Sequence, residues 1–181
     1  MTPPLQDDST RSLRSLVMPY ARPDRRKALW QLANTLPPLV GLWVLMALTL
    51  EWSRGWSMLL VVPVMLLAGA ASVWLCYVQH QFERAYWARQ DEWNPDSAAM
   101  AGSSLYDLPR VVHWFTANIG YHHIHHLSSR VPNYRLRECF ESHPRLRTAP
   151  RFTFASSLRC ARLKLWDEEA ARMVGFAAQQ A

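Results

Sequence analysis

The sequence predicts a mainly α-helical protein, an integral-membrane helical hairpin followed by a cytoplasmic helical region that gathers histidines. Three observations lead there. Two long runs without a charged residue lie close together, basic residues flank them, and four of the seven histidines fall within positions 122–126. With 181 residues, half of them hydrophobic, the chain suits one domain with a substantial apolar assembly.

The first run, "ALWQLANTLPPLVGLWVLMALTL" from Ala28 to Leu50, holds twenty-three uncharged residues. As a helix it reaches roughly 34 Å at about 1.5 Å per residue, enough to cross a bilayer. Pro37 and Pro38 remove two backbone donors, so a bend is expected there and the span is expected to start near Thr35. The second run, Gly55 to Gln79, is also long enough to span and carries Pro63 as a potential kink. Trp30, Trp43, Trp52, Trp56 and Tyr77 fall where interfacial aromatics anchor spans. A pair of buried helices in a soluble protein is the plainer alternative.

Only Glu51 to Arg54 separates the runs, which implies a hairpin with a short outer turn. Charge sets its direction. Residues 1–30 hold six Arg/Lys against three acids, and residues 81–181 hold thirteen against ten. Arg11, Arg14, Arg22, Arg25, Arg26 and Lys27 precede the first span, and the positive-inside tendency places them in the cytoplasm. Both termini are then cytoplasmic. Three segments follow: a cytoplasmic N-terminal segment (1–27), a two-span membrane hairpin (28–80) and a cytoplasmic C-terminal region (81–181).

Basic flanks around an apolar middle favour a membrane partner over nucleic acid, whose binders line Lys/Arg along one face. Cys76, Cys139 and Cys160 are odd in number and widely spaced, as expected of reduced thiols rather than a disulfide framework. The first thirty residues lack the apolar core and cleavage site of a signal peptide. No glycine-rich phosphate loop or nucleophile elbow supports nucleotide binding or serine hydrolysis.

Past His80 the stretch "DEWNPDSAAMAGSSLYDLP" reads as a loop, and "VVHWFTANIG" as a short helix. The tail "FASSLRCARLKLWDEEAARMVGFAAQQ" spaces Leu158, Leu165, Trp166 and Met173 among charges, as an amphipathic helix would. On a helix, His122, His125 and His126 share one face while His123 points away. Three convergent neutral imidazoles make a metal site suited to iron, zinc, copper or nickel. A solvated histidine-rich helix is the other reading of the same residues. His80 emerges past the second span on the side of this cluster, and a joint site needs that. Alone, it reads as an interfacial or packed residue. His113 and His143 lack spacing partners and are expected in solvent, while Asn118 is expected to cap the following helix.

The stretches "VWLCYVQHQFERAYWAR", "GSSLYDLPRVVHWFTANIGYHHIHHLSSRVPNYRL" and "LRCARLKLWDEE" resemble the integral-membrane fatty acid desaturases of bacteria, of the acyl-lipid type related to the plant omega-6 enzymes. The opening "RSLVMPYARPDRRKALWQLANT" is similar to the start of such an enzyme. The family's third histidine box, HxxHH, is matched by His122, His125 and His126, and His80 matches a further ligand that follows the last span. The resemblance implies a di-iron centre held by imidazoles, acyl chains of membrane lipids as substrate, and oxygen-dependent insertion of a double bond with electrons from a ferredoxin or cytochrome-type donor. It implies a bacterial inner-membrane location. Glu83 is placed either to orient an imidazole or as a surface charge.

Such enzymes also carry two earlier boxes, yet no histidine precedes His80. Four imidazoles do not furnish two all-histidine iron shells. The enzyme reading therefore calls for a complementary fragment or an oligomer. Against it stand a non-catalytic remnant or accessory membrane protein, and a mononuclear zinc or iron site.

Overall fold

The computed structural model describes residues 12–176, without the side chains at 51, 52, 54, 56 and 60. The expectations for Arg11, for the interfacial side chains of Trp52 and Trp56, and for the last residues of the tail lie outside the described residues. A short helix, α1 (Leu13–Val17), starts where the Ser12 side chain accepts from the Ser15 N–H, and a 3-10 turn, Met18–Ala21, follows. Its first turn is tied to a distant segment, because the Leu13 N–H donates to Asp96 Oδ2 at 3.0 Å.

Helix α2 (Arg25–Trp52) begins at Asp24, whose carboxylate accepts from the Arg26 and Lys27 N–H groups at 2.9 and 3.2 Å. It runs unbroken through Pro37 and Pro38, so the expected start near Thr35 is corrected. Each proline deletes its own N–H, but the apolar residues on both sides keep the rest of the ladder intact. Ser53 alone, in extended backbone, joins α2 to α3 (Arg54–His80), which likewise continues through Pro63. The stretches Arg25–Leu50 and Ser57–His80 are long and apolar enough to cross a membrane, and none of their apolar windows is buried within the chain. Trp30 and Trp43, placed at the interface by the sequence, are exposed.

Residues 23–76 form one unit; residues 12–22 and 77–176 form another. In the second, α4 (Pro95–Ala101) occupies part of the stretch read as a loop, started by the Asn94 side chain accepting from the Ser97 N–H at 3.0 Å. The turn-rich composition of that stretch is cap chemistry. Strand β1 (Leu105–Tyr106) and α5 (Arg110–Phe115) follow, the latter as expected from "VVHWF". Next come α6 (His122–Leu127), α7 (Asn133–Ser142) and a 3-10 turn at Pro144–Arg147. Strand β2 (Arg151–Phe152) pairs in parallel with β1.

The tail is not one amphipathic helix. It folds as α8 (Phe154–Ser157), a 3-10 turn at Leu158–Arg162 and an antiparallel hairpin of β3 (Leu165–Asp167) with β4 (Arg172–Val174). Local chemistry explains the change. Asp167 Oδ1 accepts from the Ala170 N–H at 2.9 Å, and Ala171 has φ 47°. The Met173 N–H donates to the Glu83 carbonyl at 2.7 Å, a tertiary bond that the spacing of apolar residues does not encode.

The core gathers around α6, with Val17, Met100, Leu105, Tyr121, Ile124, Leu127, Leu136, Cys139 and Leu146 buried together. All three cysteines are free thiols; Cys139 and Cys160 are buried, and burial pushes the Cys139 thiol up to about 12. Ala117 and Asn118 take left-handed backbone in the turn between α5 and α6. Asn118 does not cap α6; its amide donates to the Asn133 carbonyl at 3.2 Å. Gly120 closes this turn, where a Cβ would lie 2.5 Å from the Tyr106 carbonyl oxygen and 2.4 Å from His113 Cε1.

Gly120→Ala is therefore expected to lower stability by about 1–3 kcal/mol through overpacking. A thermal melt of the detergent-purified protein measures it, and an unchanged midpoint counts against so close an approach.

Candidate metal centre

Helix α6 divides its residues between two faces. His123, Ile124 and Leu127 are buried in the core, while His122 and His125 are partly exposed and His126 is exposed. His123, which the helical period turns away from the other histidines, is fully buried with its Nε2–H donating to the Leu146 carbonyl at 3.0 Å. That bond and the flanking apolar residues lock the helix in rotation. His122 and His126 then project from the opposite face.

The end of α3 supplies the third ring. Val78 and Gln79 are buried, the Gln79 amide donates to the Ile119 carbonyl at 3.0 Å, and the Gln79 carbonyl accepts from the Ser104 N–H at 3.1 Å. The Tyr77 hydroxyl donates to the Leu163 carbonyl at 2.7 Å. These bonds fix the last turn, and His80 Nδ1–H meets the Gly102 carbonyl at 3.2 Å. A carbonyl only accepts, so this bond places the proton on Nδ1 and leaves the His80 Nε2 lone pair facing the cluster.

His80 Nε2 lies 2.9 Å from His122 Nε2 and 3.4 Å from His126 Nε2. The ligand atoms of these three residues lie within 4.8 Å of one another. Imidazole nitrogens about 2.0–2.1 Å from a first-row metal stand about 2.9 Å apart at a right angle and about 3.4 Å apart at the tetrahedral angle. Two of the three separations match these edges, so the donor set is of a kind that could hold a metal ion. His125 stands beside the group, its ring centroid 5.7 Å from that of His122 and 6.2 Å from that of His126.

Electrostatics agree with ligand chemistry. Burial, reinforced by the neighbouring imidazoles, lowers the His122 pKa to about 3, and the same causes lower that of His126. Both rings are neutral at ordinary pH, as a metal ligand must be. His122 Nδ1 is buried without a hydrogen-bond partner, unlike the anchored Nδ1 of His80. Glu83 orients no imidazole: its carboxylate pairs with Arg172 at 3.2 Å on the surface.

His113, expected in solvent, is instead 6 % exposed and stacks on Tyr121. Its Nε2 accepts from the Leu108 N–H at 3.3 Å. The residue fills the space that Gly120 leaves open, and "HWFTANIGY" gives no spacing signal for such a contact. His143 accepts from the Arg145 N–H at 3.2 Å and starts the following 3-10 turn. Gln79 and Gly102, which position His80, also lie outside the sequence-based site; the one available signal is a glutamine closing an apolar run.

Fold and site define a helical protein with two membrane-length helices and a cluster of three imidazoles that could hold a metal ion. The fatty acid desaturase family model matches residues 8–155. A fatty acid desaturase of Bacillus subtilis (strain 168) is 45% identical over 126 residues, an alignment covering 68% of this chain and 36% of that relative. No solved structure matches the chain. The chain belongs to the fatty acid desaturase family, and its match spans about a third of the relative's length.

Burial lowers the His113 pKa below its ordinary 6.5, against a smaller opposing effect of Asp107. The unfolded ring titrates near 6.5, so its contribution to stability is complete above about that pH and is lost as pH falls toward the lower folded value. Denaturation of the metal-free protein between pH 7.5 and 5 is expected to show this loss, and His113→Gln to reduce it. An equal acid sensitivity in the variant would contradict the assignment.

Proposed function

We propose that this chain carries part of the histidine shell of a membrane acyl-chain desaturase. In this reading α2 and α3 cross the bilayer, with both ends of the chain in the bacterial cytoplasm. His80, His122 and His126 would hold one iron ion, and His125 would be left to serve a second. The observation that carries the reading is the convergence of three Nε2 atoms at ligand spacing in a chain of this family.

Bound iron supplies the oxidising power to remove two hydrogens from an unactivated alkyl chain, with oxygen and two electrons from a ferredoxin or cytochrome-type donor. No acid–base side chain does this alone. The protein's own part is to hold and orient. The Gly102 carbonyl keeps the His80 proton on Nδ1, and burial keeps His122 neutral without a competing carboxylate. The apolar α2 and α3 bring acyl chains to the chain's surroundings. The further ligands for a second iron come from a complementary polypeptide or another copy, since no histidine precedes His80.

A second reading has its own support: the three gathered nitrogens, with His125 aside, resemble a mononuclear site with an open fourth position. Metal counting separates the two. After anaerobic loading with ferrous iron, elemental analysis is expected to find one iron per chain for the purified protein alone. Two irons per functional unit, with new double bonds in host lipids, are expected when a partner supplying the missing histidine boxes is co-expressed. His122→Ala is expected to weaken metal binding at least about tenfold, whereas His125→Ala spares the single ion. Zinc at one per chain, with no second site under co-expression, selects the mononuclear reading. Retention of no metal leaves a non-catalytic member of the family.

A further inference from the structure

Helix α5 has two unlike sides. Its Val111, Trp114 and Phe115 are 66 %, 58 % and 75 % exposed, although each is large and apolar. Arg110, on the same helix, lines a cleft of about 190 Å³ together with His113, Tyr121, Asn118, Asp107 and Arg137.

Charge in the cleft is unevenly matched. Asp107 is paired with Arg151, whose Nε donates to it at 3.1 Å, and Arg137 donates to Glu141 at 2.8 Å. Asn118 spends its amide N–H on the Asn133 carbonyl. Arg110 has no ion-pair or hydrogen-bond partner among the described residues, and neither does the Tyr121 hydroxyl. His113, nine-tenths buried, forms the floor: its Nε2 accepts from Leu108 and its Nδ1 edge is turned to Gly120. Arg110 and the Tyr121 hydroxyl, two groups with unused donors and one uncompensated positive charge between them, line a cleft with room for a small oxyanion.

We propose that this cleft binds the phosphate of a membrane phospholipid, with Arg110 and Tyr121 as donors and with Val111, Trp114 and Phe115 of α5 seated in the adjoining acyl layer. The inference rests on the membrane part of the proposed function and is independent of the metal. A lipid is the occupant that satisfies both halves of α5 at once: a phosphate for Arg110 and hydrocarbon for the exposed side chains beside it. Aromatic and arginine side chains together are the pattern of the headgroup layer. A helix of six residues is too small to furnish the roughly 800 Å² per partner of a stable protein interface. Free phosphate satisfies only the polar half.

Native mass spectrometry of the full chain in detergent, titrated with phosphatidylglycerol, diacylglycerol or inorganic phosphate, tests the proposal. Phosphatidylglycerol is expected to bind at least about tenfold tighter than either of the others, and Arg110→Gln to weaken it at least about tenfold. Joint replacement Val111→Ser and Phe115→Ser is expected to weaken the lipid alone. If Arg110→Gln fails to fold, Tyr121→Phe reads the same contact with an expected several-fold loss. Equal binding of diacylglycerol overturns the phosphate contact, and equal binding of inorganic phosphate overturns the lipid seat. Unchanged lipid binding in Arg110→Gln or Tyr121→Phe overturns the whole. Iron content measured on the same samples keeps this result separate from that of the metal centre.

Discussion

The histidine cluster depends on how the last turn of α3 is clamped. A histidine that follows twenty or more apolar residues is free in principle to point anywhere, and a ring displaced by an ångström no longer shares a ligand sphere with two others. Gln79 removes that freedom. Its side chain and backbone bind two different loops, to Ile119 and Ser104, and the Gly102 carbonyl then selects the tautomer of the next residue. One buried glutamine thus converts the end of an apolar helix into a positioning device. The cost of burying this residue is offset because its side-chain N–H donates to the Ile119 carbonyl and its backbone carbonyl accepts from Ser104.

The two long helices answer to a different constraint. Most of the described Leu, Val, Met and Trp side chains along both are about half exposed or more, from Leu29 and Trp30 to Leu67 and Val73. Full burial of each such side chain is worth about 1.5–3 kcal/mol, so this much apolar surface in water is untenable for a folded chain. A bilayer resolves the conflict without any packing inside the chain. It also explains how three prolines are tolerated, since hydrocarbon offers the backbone no alternative to its own hydrogen bonds.

What the sequence discloses follows from how local each feature is. The pairing of His122 with His126 is a matter of helical period, and so is the turning away of His123 into the core; neither needs knowledge of the rest of the fold. The membrane-length runs are legible for the same reason, being properties of composition over one segment. His80 becomes legible only by family resemblance, because forty-two residues separate it from His122. The tail is misread because its apolar spacing fits a helix, while the Asp167 turn and the Glu83 carbonyl impose a hairpin. His113 is misread because solvent is the default for an unpaired histidine. The left-handed turn at Ala117 and Asn118 that folds Gly120 onto it has no signature in Ala117 and only the general tolerance of asparagine for such backbone in Asn118.

A six-residue helix is too short to stand on its own. Helix α6 persists because one side is packed into the hydrophobic interior, and that same rod displays the imidazoles on the other. Occupancy and folding are therefore thermodynamically linked: an ion that favours the assembled rings over the open chain must tighten the interior behind them. Conversely, loosening around Ile124 or Leu127 would weaken any hold on an ion without touching one of the three imidazoles.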